Sequence, residues 1–270
     1  LAKVYAEKEV QDYDKVIAYA DKVMNTTGVE LEDSYETLWG YDETAKDCMK
    51  RNTKEGILEV HWTTGSGNWE TWMYGRQLDN WDYYFTWAKW ITPSRDIISD
   101  FEKEGDEIRK NQAIVYYACT WSNYYPASNY PFMYKLRSSY SNIYWIRLAD
   151  IILMKAEAEA YKGNLDESAK LVNQIRKRAK LKELTSDKTN SKEAMIEAVL
   201  HERRLELAFE GERWFDLCRN NKVEKYLNGI DNRDKGRIKQ VKLFDSNSYL
   251  LPIPQTALDQ NTNLEQNPGY

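Results

Sequence analysis

Apolar residues recur at helical spacing in several stretches of this chain and alternate as in a strand in one. Residues 1–9 and 12–26 read as two helices joined at Val10-Gln11-Asp12. In the second, Val16, Ile17, Ala20, Val23 and Met24 share a stripe, and Gly28 supplies a C-terminal stop. A second pair follows later. Ile146 to Tyr161 carries Leu148, Ile151, Ile152, Met154 and Ala156, and Lys162-Gly163-Asn164 turns the chain. Leu165 to Leu181 then places Leu171, Val172, Ile175 and Ala179 on one face. Ser191 can cap a further helix, Lys192 to Glu210, with Ile196, Val199, Leu200 and Leu207 inward and Gly211 beyond its end. Glu55 to Trp62 alternates Ile57, Glu59 and His61 against Leu58, Val60 and Trp62, the period of a short strand. Residues 63–92 keep no period, and residues 229–270 read as loop, broken by Pro252, Pro254 and Pro268. The prediction is a mainly α fold of helix pairs with long irregular loops. An Ala/Tyr-rich first helix and a Gly-Asn turn resemble tetratricopeptide-type units, although an ordinary helical hairpin fits the pattern equally well.

Composition narrows the function classes. The chain has 270 residues, enough for one large domain or two ordinary ones and for a core that needs no staples. Its net charge of −5 argues against nucleic-acid binding, which requires a basic surplus. Apolar runs such as Ile151-Ile152-Leu153-Met154 are too short to span a bilayer. Cys48, Cys119 and Cys218 are too few and too scattered for a disulfide framework. The chain opens at Leu1 already in helical register, with no signal peptide, and is read as beginning inside a longer protein. The outlier is the aromatic content: 10 Trp, 20 Tyr and 6 Phe.

Known catalytic signatures are missing. His61 and His201 lie in separate segments, no His/Cys set has zinc spacing, and no nucleophile elbow, P-loop or dinucleotide fingerprint occurs. His201 is expected to be structural. Asp231-Asn232-Arg233-Asp234 and Asp79-Asn80-Trp81-Asp82 hold donors that a structural Ca²⁺ accepts, but the EF-hand spacing is absent; surface turns are expected, with no metal and no cofactor. Glu202/Glu206 and Glu206/Glu210 stand at i, i+4, roughly 6 Å apart at Cβ, a spacing glycosidases can use. Arg203, Arg204, Arg213 and Arg219 interleave with them, so an ion-pair lattice is expected instead of a raised-pKa acid. The basic run Arg176-Lys177-Arg178-Ala179-Lys180 reads as the solvated face of its helix.

Five blocks stand out in order: Thr92-Pro93-Ser94-Arg95-Asp96 leading to Phe101 and Asp106-Glu107-Ile108-Arg109; Arg147-Leu148-Ala149-Asp150 through Leu153 to Ala156-Glu157-Ala158; Gly163 through Asn173 and Arg176 to Ala179; Glu202-Arg203-Arg204 through Glu206-Leu207, Phe209-Glu210-Gly211 and Arg213-Trp214-Phe215-Asp216-Leu217; and Leu250-Leu251-Pro252-Ile253-Pro254 with Gln266-Asn267-Pro268-Gly269-Tyr270. Together they resemble the SusD/RagB family of outer-membrane nutrient-binding lipoproteins. The resemblance implies a SusD-like α-rich fold, with residues 1–52 a remnant of the N-terminal tetratricopeptide-like region and residues 53–270 the C-terminal domain. It also implies a cell-surface, outer-membrane location through a lipid anchor of the parent protein, and a SusC-like TonB-dependent transporter as partner. The strong motifs read as structural: Glu202, Arg203, Glu206, Glu210, Arg213, Asp216 and Arg219 can pair at i+3 and across helices.

Ligand contacts are expected among the aromatic loops. Six of the ten tryptophans, Trp62, Trp69, Trp72, Trp81, Trp87 and Trp90, fall between residues 62 and 90. Trp62, Trp87 and Trp90 are assigned to core. Trp69, Trp72, Tyr74, Arg76, Asn80, Trp81, Asp82, Tyr83 and Tyr84 sit in an aperiodic stretch and are assigned to ligand binding, with Trp39 and Tyr41 as weaker candidates. Flat rings beside Arg, Asn and Asp suit a sugar, whose C–H face stacks while its hydroxyls bond at the rim. Trp121, Tyr124, Tyr125, Tyr130 and Tyr134 form another aromatic group. The reading is a glycan-binding, non-catalytic subunit that passes starch- or polysaccharide-type oligosaccharide to the transporter. The alternatives are a RagB-like peptide binder and a glycoside hydrolase.

Overall fold

The computed structural model describes residues 1–45, 47–62, 92–119, 125–138, 140–234 and 239–270. The chain forms two compact units, Leu1–Arg213 and Trp214–Tyr270.

The first unit is built around three long helices, α6 (Leu148–Lys162), α7 (Leu165–Arg178) and α9 (Lys192–Glu206). α6 is buried around most of its circumference, consistent with its run of Ala, Ile, Leu and Met. Gly163 ends it at φ +84°, a left-handed turn that glycine adopts without strain, and α7 returns antiparallel. Ser191 caps α9 by accepting from Ala194 N at 3.2 Å. Leu153, Ala156, Val172, Ile175, Met195, Val199 and Leu200 fill the space between them. α1 (Ala2–Ala6) and α2 (Tyr13–Met24) complete the bundle, Ala2, Ala6 and Val16 packing on Met154 and Ala158 of α6. Between α7 and α9 lies the single turn α8 (Ser186–Thr189).

Beside the bundle sit α3 (Tyr35–Trp39), α4 (Arg95–Glu104), α5 (Glu107–Ala113) and three two-stranded antiparallel sheets. β1 (Tyr41–Asp42) pairs with β2 (Asp47–Cys48), β3 (Gly56–Val60) with β6 (Ile143–Arg147), and β4 (Ile114–Tyr117) with β5 (Tyr130–Met133). The second unit holds the rest of α10 (Arg213–Arg219), the short helices α11 (Val223–Leu227), α12 (Ile230–Arg233) and α13 (Gln255–Gln260), and an extended strap through Pro252 and Pro254. The strap is clasped from the C-terminus: Gln266 bonds both the N–H and the carbonyl of Ile253, and the Asn267 amide donates to Leu251 O at 2.6 Å.

The fold is mainly α, with helix pairs where the apolar periods predicted them. Residues 229–270, read as loop, carry the short helices α12 and α13, and several helix boundaries differ. The second pair begins at Leu148, not Ile146, because Ile143–Arg147 is a strand. α9 ends at Glu206, not Glu210, since Phe209 and Gly211 both take positive φ and break the helix. Truncating Leu153, fully buried at the centre of the bundle, to Ala should cost about 2–5 kcal/mol. Urea unfolding should show the midpoint falling with an unchanged m-value.

Candidate ligand-binding site

Among the sequence-predicted site residues, Trp69, Trp72, Tyr74, Arg76, Asn80, Trp81, Asp82, Tyr83 and Tyr84 lie outside the described residues, as do Trp87, Trp90, Trp121 and Tyr124. The structure fixes the two ends from which residues 63–91 depart. On one side β3 is held against β6, and Trp62 beyond it is half-buried. On the other, Ser94 caps α4 by accepting from Ile97 N, the Tyr125 hydroxyl donates to Pro93 O at 2.6 Å, and Thr92 meets the Tyr130 hydroxyl.

The remaining candidate rings turn inward. Trp39 is only 5% exposed, packed edge-on against Tyr144 at 5.1 Å and covered by the Lys135 ammonium at 4.8 Å. It is core, clustered with Tyr35 and Leu38 of α3 and with Tyr144. Tyr41 begins β1 and is half-buried. Tyr125 and Tyr130 are also buried, packed edge-to-face with one another and with Phe132 around Cys119, and Arg95 lies 4.3 Å over the Tyr125 ring. Tyr134 is covered by Arg137 at 3.9 Å. The group at 125–134 therefore closes the frame beneath the β4–β5 pair.

The acid helix is a buried lattice. Glu206 Oε1 accepts from Arg147 Nη1 at 2.6 Å and pairs with Arg178; Glu206 Oε2 takes Arg109 Nη1 at 3.2 Å. Arg109 also reaches Asp106 at 2.5 Å and Glu202 at 2.6 Å, and Arg147 reaches Glu55 and Glu210. Arg176 bridges Glu202 and Glu104, both at 3.0 Å, and Lys135 donates to Glu210 at 2.5 Å. Burial alone would raise the Glu206 pKa, but the Arg178, Arg147 and Arg109 guanidiniums hold it well below the carboxylate range. A proton-donating acid needs the opposite shift. Burial lowers the Lys135 ammonium to about 8, with Glu210 opposing.

The sequence pattern points to Glu202, Glu206 and Glu210 of this lattice but not to Glu55, Glu104 or most of the cations. The cations come from α5, β6, α7 and the segment after β5, up to 97 residues away in sequence. The basic run expected to be a solvated face is split: Arg176 and Arg178 point inward to the α9 acids, while Lys177 and Lys180 face solvent. His201 is structural, its Nε2 3.1 Å from Glu104 Oε1. Glu59, also missed, accepts from the N–H groups of Asn52 and Thr53 and from the Asn142 amide, tying the root of β3 to that of β6. Gly56 leaves room for it, since an added Cβ would lie 1.9 Å from Glu59 Oε1 and would displace the Glu59 side chain. Among the described residues no cluster of His, Cys, Asp and Glu is arranged to hold a metal, and no helix is long and apolar enough to cross a membrane.

Two outcomes follow from the lattice. Glu206→Gln, which removes the charge shared by three arginines, should destabilise the protein by about 3–5 kcal/mol. Glu167→Gln, at the exposed Lys170 pair, should cost under about 0.5 kcal/mol; paired urea titrations give both values. Glu104 is the acid-sensitive member: the hydrogen bond from His201, reinforced by Arg176, pulls its pKa from 4.5 to about 2 against burial. A carboxylate so depressed contributes stability that is complete above pH 4.5 and is lost as pH falls through 2. Unfolding free energies measured from pH 6 to 2.5 should converge for wild type and Glu104→Gln, closing a gap of about 1–2 kcal/mol after allowance for solvent screening.

Comparison with known proteins agrees with this architecture. A family model described as the SusD family matches residues 7–270. SusD-like protein P38 of Formosa agariphila is 36% identical over 136 residues, 48% of this chain and 25% of that protein. Among solved structures, surface glycan-binding protein A from Bacteroides thetaiotaomicron superposes with a TM-score of 0.73 at 18% identity, over 99% of this chain and 62% of that one. A laminarin-binding SusD-like protein gives 0.70 at 24%, over 100% of this chain and 62% of that one. The chain thus spans about a quarter of the curated relative and under two thirds of each solved chain. This chain belongs to the SusD family.

Proposed function

We propose that the protein is a glycan-binding, non-catalytic subunit whose ligand platform is built from the aromatic stretch at residues 63–91. The observation that carries this reading is the contrast between rings. The described rings of the 125–134 group, and Trp39, are spent on the frame, yet the frame secures both ends of a stretch with tryptophans interleaved by Arg, Asn and Asp. Stacking on an indole face with hydroxyls bonded at the rim is the chemistry a pyranose needs. Solved proteins of the same fold named as glycan-binding and laminarin-binding support the ligand class. The acids that could have suggested a hydrolase are arginine-paired and buried, which supports binding without turnover. As the family implies, the parent protein would act at the outer-membrane surface through a lipid anchor and deliver cargo to a SusC-like TonB-dependent transporter.

The test is a panel of soluble starch, laminarin and peptides, scored for binding by calorimetry and for reducing-sugar release. Binding of a glycan with no sugar released is expected; peptide binding alone would favour the RagB-like alternative. Trp69→Ala, Trp72→Ala and Trp81→Ala should each weaken the bound glycan by about 5- to 30-fold. A half-covered indole contributes roughly 2–3 kcal/mol gross, part of which loop ordering takes back. Their melting temperatures should stay at the wild-type value. Three variants with unchanged affinity would move the site elsewhere.

A further inference from the structure

Tyr117, Phe215 and Tyr270 are exposed, but among the described tryptophans Trp145 alone is exposed. Trp145 lies in the middle of β6 and is 64% exposed, while Tyr144 before it and Arg147 two residues on are almost completely buried. The cause is the register. Leu58 pairs with Ile146 and Glu59 with Tyr144, so Trp145 is the extra residue of a β-bulge-type irregularity and has no counterpart across the ladder. A bulge re-aims a side chain, and here it turns the indole out to solvent. Among the described residues the ring has no stacking partner, no cation over its face, and no acceptor for Nε1–H. Its exposed apolar neighbours on β3 are Ile57 and Leu58, at 38% and 49%.

We propose that Trp145 is a stacking residue for a pyranose ring, outside the 63–91 stretch, a proposal that rests on the glycan reading above. The size of the patch selects the occupant. One exposed indole matches a single sugar ring, since a whole Trp offers roughly 150–250 Å². A stable protein interface needs about 800 Å² from each partner, several times more. The strand that carries the ring is anchored two residues on, where Arg147 is fixed by Glu55, Glu206 and Glu210. A backbone already fixed loses little entropy when a ligand settles on the ring it presents.

Trp145→Ala and Trp145→Tyr in the full chain test this against soluble starch and laminarin, with affinity and melting temperature measured on the same samples. A 5- to 30-fold loss for Trp145→Ala at unchanged melting temperature, with Trp145→Tyr within about threefold of wild type, is the expected result. Wild-type affinity in Trp145→Ala overturns the proposal. So does equal loss of affinity and of melting temperature in both variants, which marks the ring as structural. If the wild-type chain itself binds neither glycan, the glycan reading fails first and Trp145 falls with it. Self-association of the wild type that Trp145→Ala abolishes would instead assign the ring to a protein contact.

Discussion

The carboxylate of Glu206 is the point on which the first unit converges. It is fully buried, and three guanidiniums from three different elements share it. At its buried centre, Arg109, Arg147, Arg176, Arg178 and Lys135 face Asp106, Glu55, Glu202, Glu206 and Glu210, five cations against five carboxylates, with the part-exposed Glu104 joined at the edge through Arg176. Taking ten charges out of water costs more than any one pair returns, and only mutual neutralisation makes the arrangement tolerable. That asymmetry gives the lattice its structural role. An apolar core would accept α9 in several rotations with modest loss, but a shifted α9 would leave buried charges unpaired. The helices, the β3–β6 pair and α5 are therefore locked in one relative arrangement.

Much of this architecture is legible in sequence, and the boundary of legibility is physical. Helical periods report burial along one face, so α2, α6, α7 and α9 could be placed from Val16, Leu153, Ile175 and Val199 and their neighbours. The strand at 56–60 showed its alternation. Its partner at 143–147 did not stand out, because a strand is completed by hydrogen bonds to residues some 87 positions away that local pattern does not contain. The end of α9 is hidden for a related reason: residues 207–210 have acceptable helix propensity, and nothing in the local pattern announces the positive φ at Phe209.

The charged residues divide in the same way. That Glu202 and Glu206 would be arginine-paired followed from the neighbouring arginines, but which arginines do the pairing depends on tertiary structure. Arg176 and Arg178 belong to a run that looks like a solvated face and becomes buried because α7 packs beside α9. Rings are the hardest residues to read. Trp39, Tyr125 and Tyr130 have the same composition-level signature as a ligand platform, being aromatic, loop-adjacent and flanked by polar residues. What separates core from surface is whether another element covers the face, as Tyr144 and Lys135 cover Trp39.

Frame and proposed platform place different demands on sequence. Every member of the Glu206 lattice depends on several others, so substitution there leaves a buried charge exposed to its own desolvation cost. A solvent-facing ring is energetically independent of such a network and can be exchanged without refolding the protein. This is why motifs such as Glu202-Arg203-Arg204 to Trp214 identify the scaffold while leaving the cargo open. The two are nonetheless joined through β6. Trp145 stands two residues from Arg147, one of the most completely buried cations of the lattice, and the strand that presents the ring to solvent is pinned by the charges beneath it. In such an arrangement the lattice does more than stabilise: it supplies the fixed backbone from which a small exposed ring is presented to a ligand.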